Sequence, residues 1–599
     1  MKNIYLFQPQ YSIEFRDEKN YYLPHSSGCL WSYVAEFADI KENFTLKEIV
    51  FKREPVEDVI ARMDNPVYCG FSCYIWNERY CLAAAELIKH RWPNCLIQFG
   101  GPQAQSSMTR YKFIDSFAIG EGEEIFLTTL RTILKGEEPD LFYAKKRLED
   151  LEIPSPYLTG VFDQIVADHP NVIWAMSLET NRGCPYSCTF CDWGGITYSK
   201  VKKFNLEKVA AELDWACRHR VVYMFLADAN FGIFKERDLE IAKMIRYTID
   251  HSEIEAVNIQ YAKNSTDVVF EIAKTIGPHS RGITVSVQSM NDLTLDAIKR
   301  KNLDVNNIRY MMEMSQQHDV ITYTEVIVGL PHETKESWIA GLGEILEIGQ
   351  HQNIDVWFAQ LLGNSELASE QSRREHQITT VMAKDFMSIQ TTKGDADIQE
   401  YSEVINSTRT MTTEDIVECY LFAWMIIHFH INGYSQVVAR YARTVKNISY
   451  QRFYTAFFKH IEQDSVLGPH FTNLRSILKE YLTTGNVPEN FVGGHALHTM
   501  SYKFVYDNRR AASRVAVETL STLVEIDPEI HQIQNAFIVD SGVEYPQIIE
   551  ASYDVFTGRR NSYRYTFNPK VKELPLDDFY TRRRKGLIKN ELELESKEC

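Results

Sequence analysis

Positive charge is scarce in this chain of 599 residues. Lysine and arginine number 64 against 81 aspartates and glutamates, which leaves a formal net charge of -17 at pH 7. A protein that follows a phosphate backbone needs a broad basic surface, and this balance argues against one. The sequence therefore predicts that nucleic acid is not a partner.

Long hydrophobic runs are also missing. The longest apolar stretch, residues 416–431, is short for a bilayer span and contains one glutamate and two histidines. It predicts a buried helix, with membrane insertion as the minor alternative. The amino terminus has no secretory hydrophobic region, because glutamines and a proline follow its short apolar run. We expect a cytoplasmic protein without a membrane span.

Cysteine is sparse outside one short segment. Eight of the eleven cysteines are scattered among apolar neighbours, as buried thiols commonly are. They are Cys29, Cys69, Cys73, Cys81, Cys95, Cys217, Cys419 and Cys599. Without an export signal, a disulfide framework is not expected. The remaining three, Cys184, Cys188 and Cys191, lie within the stretch GCPYSCTFCDWGG, residues 183–195.

The first 145 residues alternate strand patterns with helical ones. Strands are predicted at residues 4–7, 44–51, 67–75 and 95–101. Before Pro93, the residues Tyr80, Ala84, Leu87 and Ile88 share one helical face. This alternation is typical of a parallel, doubly wound sheet, so we predict a Rossmann-like domain over 1–145.

The predicted strands end in small or glycine-rich loops, which read PQYS, GFSCY, GGPQ and IGEGEE. Parallel sheets of this class bind ligands beyond the carboxyl ends of their strands. Two interpretations stay open for the glycines. They either make turns only, or they let a large flat ligand approach the backbone closely.

A linker, predicted at 146–170, is followed by six more strands with intervening helical patterns. These strands are predicted at 174–178, 221–227, 256–261, 282–288, 320–328 and 354–361. Six such units indicate a partial (β/α)6 barrel of the TIM type over 171–368. Helical patterns dominate 369–599, and its charged end is expected to fray. The predicted fold class is α/β, with a Rossmann-like sheet, a partial barrel and a mainly helical region.

The clustered cysteines have the spacing C-x3-C-x2-C directly after a predicted strand. Three thiolates on one loop can hold three irons of a cuboidal 4Fe-4S cluster and leave the fourth iron without a protein ligand. A structural zinc site needs a fourth ligand nearby, and Cys217 and His219 are too distant in sequence. A thioredoxin-like pair would leave Cys184 unused. Three buried thiols without function remain the other alternative.

This motif resembles the signature of the radical S-adenosylmethionine superfamily, in which an aromatic residue, here Phe190, precedes the third cysteine. The resemblance implies that Cys184, Cys188 and Cys191 are cluster ligands and that Phe190 lies beside adenine. In that family the open iron binds S-adenosylmethionine, which an electron from the cluster splits into methionine and a 5'-deoxyadenosyl radical. A reductant such as flavodoxin or ferredoxin is therefore implied.

Three further stretches resemble barrel motifs of the same family in the same order. LADANFG resembles the second-strand motif, which implies that Asp228 and Asn230 lie by the cofactor. SVQS resembles the fourth-strand motif and implies that Gln288 faces the ribose, whereas VIVGLPHET resembles the fifth-strand turn and implies that Gly329 packs against adenine. Each stretch alone would also fit a plain strand end with a glycine turn.

The first domain resembles the cobalamin-binding branch of this superfamily through LPHSSGCLWSYVAEF, GFSCY, FGGPQA and IGEGEE. The resemblance implies cobalamin and assigns to its site Tyr74, Gly100, Gly101, Gly120, Glu121 and Gly122. The motif D-x-H-x-x-G, whose histidine binds cobalt from below, is absent from the sequence. The lower face is then either unligated or contacted near Tyr74 or Ile75, while His25 and His90 are expected to be structural or surface residues.

The leading hypothesis is a cobalamin-dependent radical enzyme that methylates an unactivated carbon of an unknown substrate. The sequence names no catalytic residue beyond those for the cofactors. Oxidative cyclisation or ring rearrangement with the same cofactors stays open, because fold and cofactor do not fix the reaction. A cobalt-free radical enzyme and a non-catalytic sensor are further alternatives.

Overall fold

The structure is a computed structural model. It describes residues 1–15, 18–144, 148, 151–193, 200–263, 266–318, 320–384, 396–487, 496–536, 547–569 and 592–598. Gly194 and Gly195 of the cysteine stretch and several residues of the predicted linker lie outside these ranges. The chain forms two compact units. Unit 1 contains Met1–Ser280, Gln360–Arg374 and Met382–Glu403, and unit 2 contains Arg281–Ala359, Glu375–Val381 and Val404–Cys599.

The strands are numbered in chain order. They are β1 Lys2–Gln10, β2 Ile13–Phe15, β3 Glu18–Tyr22, β4 Phe44–Lys52, β5 Pro66–Ser72, β6 Leu96–Gly100, β7 Ser116–Ile119, β8 Phe142–Ala144, β9 Val172–Leu178, β10 Asn181–Arg182, β11 Lys202–Lys203, β12 Val221–Leu226, β13 Ala256–Asn258, β14 Ile283–Gln288, β15 Thr322–Val328, β16 Ile354–Phe358, β17 Thr379–Lys384, β18 Tyr401–Ser407, β19 Gln547–Ala551, β20 Tyr563–Pro569 and β21 Leu592–Glu598.

The helices are named by their bounds. They are His25–Val34, Ala38–Lys41, Val56–Arg62, Glu78–Arg91, Glu123–Lys135, Val161–Asp168, Leu206–Cys217, Lys235–Asp250, Thr266–Ile276, Asp292–Ala297, Val305–Gln317, Lys335–Glu347, Glu370–Glu375, Thr413–Met425, Gln436–Thr444, Tyr450–Gln463, Gly468–Thr484, Ala496–Asp507, Arg509–Leu523 and Glu529–Ala536, with a π-helix at Ile426–Ile431.

The first sheet of unit 1 has six parallel strands in the order β4-β1-β5-β6-β7-β8. This confirms the predicted doubly wound sheet, and its order reverses direction between β1 and β5, as in flavodoxin-like folds. The strand interiors are apolar because helices cover both faces. Tyr80, Ala84 and Ile88 pack on one face, and Phe126 and Leu130 pack on the other.

The second sheet of unit 1 has the order β13-β12-β9-β3-β2. Strands β9, β12 and β13 are the first three of the predicted second series, and they run parallel. The sheet also contains a hairpin from near the amino terminus, whose strand β3 pairs parallel with β9, Lys19 opposite Val172 and Tyr22 opposite Ala175. The sequence did not indicate this pairing, because EKNYY is largely polar.

A buried ion pair fixes the segment around Glu400 to the first sheet of unit 1. Arg53 Nη1 lies 2.9 Å from Glu400 Oε1, and both side chains are fully buried. The Glu400 carboxylate also accepts hydrogen bonds from the backbone N–H groups of Arg79 and Tyr80, at the start of helix Glu78–Arg91. These bonds supply partners to N–H groups that a helix start leaves without them.

Unit 2 contains the last three predicted barrel strands, which form the parallel sheet β14-β15-β16. Helices dominate the region after it, as predicted. Helix Thr413–Met425 begins with a capping box between Thr412 and Asp415 and continues into the π-helix. The apolar stretch that it contains is buried, which confirms the predicted buried helix.

Within the described ranges, no single helix has the length and apolar composition to cross a membrane, although the pair Thr413–Ile431 and Gln436–Thr444, bent by 92°, meets both criteria when joined.

The end of the chain corrects one expectation. Residues 592–598 do not fray but form β21, which pairs antiparallel with β20, and β19 completes a three-stranded sheet. The letters LELESKE alternate leucine or serine with charged residues, which is the period of a strand. The prediction of a frayed end considered the charge of the segment and not its alternating pattern.

Candidate active site

A cavity of about 330 Å³ lies beyond the carboxyl ends of the central strands of the first sheet. Its volume is within the range of roughly 300–1,000 Å³ of small-molecule sites. All the residues that the sequence assigned to cobalamin line it, namely Tyr74, Gly100, Gly101, Gly120, Glu121 and Gly122. The structure therefore brings together side chains and glycines from three separate loops, as the sheet topology predicts.

The space around the glycines of this cavity differs from one position to the next. Gly101 has φ +90°, and a Cβ there would lie 2.7 Å from the carbonyl oxygen of Cys73. A Cβ at Gly122 would lie 2.9 Å from Leu30 Cδ2. The backbone contact and the positive φ require glycine at Gly101, whereas the leucine side chain at Gly122 could shift. At Gly100 the nearest atom would be Ala118 Cβ at 3.4 Å, an ordinary contact, so packing within the protein does not require glycine there.

A charged network forms one wall of the cavity. Arg182 Nε and Nη2 donate to the Glu179 carboxylate at 2.9 Å each, and Nη1 donates to Glu123 at 2.9 Å. Glu121 lies 3.8 Å from the same guanidinium. Burial opposes the charge on Glu179, but Arg182 holds the pKa of that carboxyl below its ordinary value. The sequence did not predict this network, although the stretch LETNRG has charged residues at the end of a buried strand.

His25 also lines this cavity, where the sequence did not place it. Its ring nitrogens lie 3.7 and 3.8 Å from Cys29 Sγ. Burial lowers the pKa of His25 to about 4, and Lys208 and Arg182 add to this effect while Glu179 opposes it. The imidazole is therefore neutral at pH 7.

The pKa of His25 predicts a pH dependence of stability. The pKa of His25 is near 6.5 in the unfolded chain and about 4 in the folded one. The contribution of the neutral histidine to the unfolding free energy is therefore fully present above pH 6.5, and it is lost as the pH falls towards 4. We expect His25→Gln to lose less unfolding free energy than the wild type between pH 7 and pH 5, measured by urea denaturation. The exposed His90, changed to Gln, is the control. An equal pH dependence in His25→Gln and the wild type would contradict the prediction.

The cysteine loop follows β10 in unit 1. Cys184 and Cys188 are buried, Cys191 is partly exposed, and none of the three forms a disulfide. Asn230 Nδ2 donates to Cys184 Sγ at 3.3 Å. The other amide atom, Asn230 Oδ1, is buried without a hydrogen-bond partner. A buried carbonyl oxygen of this kind indicates a missing donor, so the predicted place of Asn230 beside a cofactor fits the loop.

The three cysteines of the loop can each bind a different iron of a cuboidal cluster. In the part of the chain that the structure describes, no three His, Cys, Asp or Glu side chains converge on one ion. A cuboidal cluster binds each thiolate at a different iron, so its ligands need no common centre. The amide donor to Cys184 is the kind of hydrogen bond that tunes such sulfurs. Phe190 is half-buried within the same loop.

Asp228 connects the end of β12 to the residues before the cysteine loop. Its carboxylate accepts hydrogen bonds from Thr180 N at 2.8 Å, Asn181 N at 3.1 Å and Asn181 Nδ2 at 2.7 Å, and also from the Thr180 hydroxyl. Burial raises the pKa of Asp228 to about 7, against these hydrogen bonds. The residue therefore holds the segment that leads through Arg182 to Cys184.

Gln288 and Gly329 lie in unit 2, whereas the other predicted site residues lie in unit 1. Gln288 is buried at the end of β14 with φ +64°, a conformation that is uncommon for a residue with a side chain and frequent at functional sites. Gly329 has φ +91° after β15, and a Cβ there would meet Ile416 Cδ1 at 3.5 Å. The left-handed backbone, and not lack of space, favours glycine at this turn.

Comparison with known proteins identifies the family of this chain. Residues 178–340 match the model of the radical SAM superfamily. The chain is 34% identical over 496 residues to the cobalamin-dependent radical SAM methyltransferase TokK of Streptomyces tokunonensis, which covers 78% of this chain and 72% of TokK. It is 31% identical over 501 residues to 2-(S-pantetheinyl)-carbapenam-3-carboxylate methyltransferase of Streptantibioticus cattleyicolor, with the same coverage of 78% and 72%.

A solved structure is also similar. The radical S-adenosylmethionine methyltransferase TsrM of Kitasatospora setae, with tryptophan substrate and a SAM analogue bound, has a TM-score of 0.47 and 12% identity, covering 67% of this chain and 86% of TsrM. The identity to TokK, over most of both chains, is what decides the assignment. The chain belongs to the cobalamin-dependent radical S-adenosylmethionine methyltransferases.

Proposed function

We propose that this enzyme methylates an unactivated carbon of a carbapenam-type substrate, with part of the corrinoid bound against the loops that line the 330 Å³ cavity and the cluster on the cysteine loop. One observation carries the proposal. Arg182 lines the cavity and lies two residues before Cys184, and Ala227, also in the cavity wall, precedes Asp228. The two predicted cofactor sites thus share the ends of β10 and β12.

The cofactors supply the hard chemistry when bound: the cluster with S-adenosylmethionine supplies a carbon-centred radical, and cobalamin supplies the methyl group. Cys184, Cys188 and Cys191 would hold the cluster, and Phe190, Asn230, Gln288 and Gly329 would bind S-adenosylmethionine. Asp228 orients the loop through Thr180 and Asn181. Tyr74, Gly100 and Glu121, with Gly101, Gly120 and Gly122, would contact the corrinoid.

The substrate class follows from one relative. The protein of S. cattleyicolor is named for 2-(S-pantetheinyl)-carbapenam-3-carboxylate, at 31% identity over most of both chains. We therefore propose a bicyclic β-lactam carboxylate with a thioether side chain as the methyl acceptor. We assign cobalamin binding to residues 1–145, radical chemistry to 171–368 and substrate recognition to loops of the partial barrel together with 369–599, with 146–170 as the linker.

A low-potential electron donor such as flavodoxin or ferredoxin is the proposed partner, since the cluster must be reduced before each cleavage of S-adenosylmethionine. None of the described cysteines forms a disulfide, which supports a reducing compartment such as the cytoplasm. The donor is tested by replacing dithionite with each protein in the assay below.

The assay combines anaerobically reconstituted enzyme, hydroxocobalamin, S-adenosylmethionine, dithionite and 2-(S-pantetheinyl)-carbapenam-3-carboxylate. We expect a substrate mass gain of one methylene, together with 5'-deoxyadenosine and S-adenosylhomocysteine. The second product reports remethylation of the corrinoid, which cyclisation does not need.

Each alternative has its own outcome in this assay. Formation of 5'-deoxyadenosine with a substrate that loses hydrogens and gains no carbon would favour oxidative cyclisation. Turnover without a retained corrinoid would favour a cobalt-free enzyme. A loaded cluster that never cleaves S-adenosylmethionine would favour the sensor.

A further inference from the structure

Five described residues of unit 2 hold a left-handed backbone conformation although they are not glycine, namely Gln288, Lys299, His332, Gln377 and Asn447. His332 has φ +63° and Gln377 has φ +49°. This conformation is uncommon for residues with a Cβ, although histidine adopts it more readily than most, and residues held in sparsely populated conformations cluster at ligand sites. Here the two positions belong to segments that contact each other.

His332 lies on the loop that leaves the carboxyl end of β15, three residues after Gly329. Ligands of parallel α/β architectures bind at this end of the strands. A hydrogen bond holds the backbone of the loop, since Asn291 Nδ2 donates to the carbonyl oxygen of His332 at 3.2 Å. The position of the imidazole is therefore set by the fold.

His376 packs against His332. The two ring centroids are 5.4 Å apart and the rings meet edge to face at 79°. Arg409 binds the same segment, since its N–H donates to the carbonyl oxygen of His376 at 2.9 Å and its guanidinium donates to that of Glu375. Both imidazoles are half-buried and Arg409 is exposed.

The side chains of this group are hydrogen-bond donors. Burial lowers the pKa of His376, and the neighbouring His332 and Arg409 lower it further, while the exposed carboxylate of Glu375 acts in the opposite direction. Imidazoles offer N–H donors, and a guanidinium offers a fork of charged donors. An oxyanion beside the two rings and the guanidinium would accept hydrogen bonds from them.

We propose that His332, His376 and Arg409 form a subsite for an oxyanion of the methyl acceptor. The ligand group is a carboxylate or a phosphate, which share this donor requirement. The inference rests on the proposed function in one respect, because it treats the anion as part of the substrate. It adds residues and a chemical class that the cofactor assignments do not contain.

The first test needs no knowledge of the substrate. Reconstituted enzyme is modified with diethyl pyrocarbonate in the presence of acetate, inorganic phosphate or chloride, and each histidine is quantified by peptide mass spectrometry. We expect acetate or phosphate to reduce modification of His332 and His376 at least about threefold relative to chloride. The exposed His90 should react equally in all three. The stronger of the two protecting anions identifies the group.

The second test uses variants. His332→Asn keeps a residue that tolerates the left-handed backbone but removes the imidazole, and His332→Gly removes the strain as well. Both should abolish protection of His376 and raise the KM for the carbapenam carboxylate about tenfold, with kcat kept within about threefold. Gln377→Gly relieves strain nearby while keeping both imidazoles, so it should keep the protection and the KM.

The outcomes separate the two proposals. If the carbapenam is not methylated but acetate or phosphate protects both histidines, the subsite stands and the substrate proposal fails. If neither anion protects His332 and His376 in the wild type, or if protection persists in His332→Asn, the subsite is overturned whatever the assay shows.

Discussion

Replacing Cys188 by alanine is expected to reduce the iron content of the reconstituted enzyme from about four per chain to fewer than two. Formation of 5'-deoxyadenosine should fall to the level of a sample without enzyme. The reason is that two thiolates on the remaining loop cannot hold the cluster and leave one iron open for S-adenosylmethionine. Iron and sulfide analysis, the absorbance near 400 nm and chromatography of the products measure the effect.

Cys217 provides the matched control. It is also a free thiol, at the end of helix Leu206–Cys217 and outside the cysteine loop. Cys217→Ala should keep the iron content and the formation of 5'-deoxyadenosine. If Cys188→Ala retained about four irons and full cleavage activity, the cysteine loop would not be the cluster site.

The second large effect is expected from Arg182→Met. The change leaves Glu121, Glu123 and Glu179 together in a mostly buried wall without their shared cation. Removing one partner of a buried ion pair costs about 3–5 kcal/mol of unfolding free energy. Because the same side chains line the cavity, the variant should also lose its bound corrinoid. Urea denaturation and the corrinoid absorbance after gel filtration measure the two effects.

Arg131→Met tests the same substitution where burial is low. Arg131 and Asp39 form an ion pair 2.8 Å long with 43% of each side chain exposed, so its loss should cost less than about 1 kcal/mol. The double variant Arg182→Met with Glu123→Gln should regain part of the stability, since one unpaired charge is removed. Equal losses in Arg182→Met and Arg131→Met would show that the network contributes no more than a surface pair.

The elements were predictable where the apolar pattern was strong. The predicted strands at 44–51 and 221–227 agree with β4 and β12 to within one residue, since β12 is a continuous apolar run and β4 ends in a buried one, Ile49–Phe51. Helix Glu78–Arg91 was also found, but Leu87 is 38% exposed. It lies at the edge of the apolar stripe, where Cys81 and Ala85 complete the buried face instead. Residue type alone did not separate the edge from the centre of that face.

The candidate site was predictable only where residues are close in sequence. The cysteine spacing and the glycine loops are local patterns, and the glycine loops of the first domain do meet at one cavity. The contacts of Arg182 with Glu123 and of Arg53 with Glu400 join residues that are 59 and 347 positions apart. A charged side chain in one sequence does not reveal its partner. These contacts could be identified only from the folded structure.

The hairpin of β2 and β3 makes the second sheet of unit 1 depend on the amino-terminal segment. Because β3 pairs with β9, the amino-terminal segment supplies a strand of the second sheet in unit 1 as well as β1 of the first. A gene fragment that starts after residue 145 would encode a sheet whose edge strand is missing. Without the hairpin, β9 would become the edge strand of the second sheet, with one row of its backbone groups unpaired.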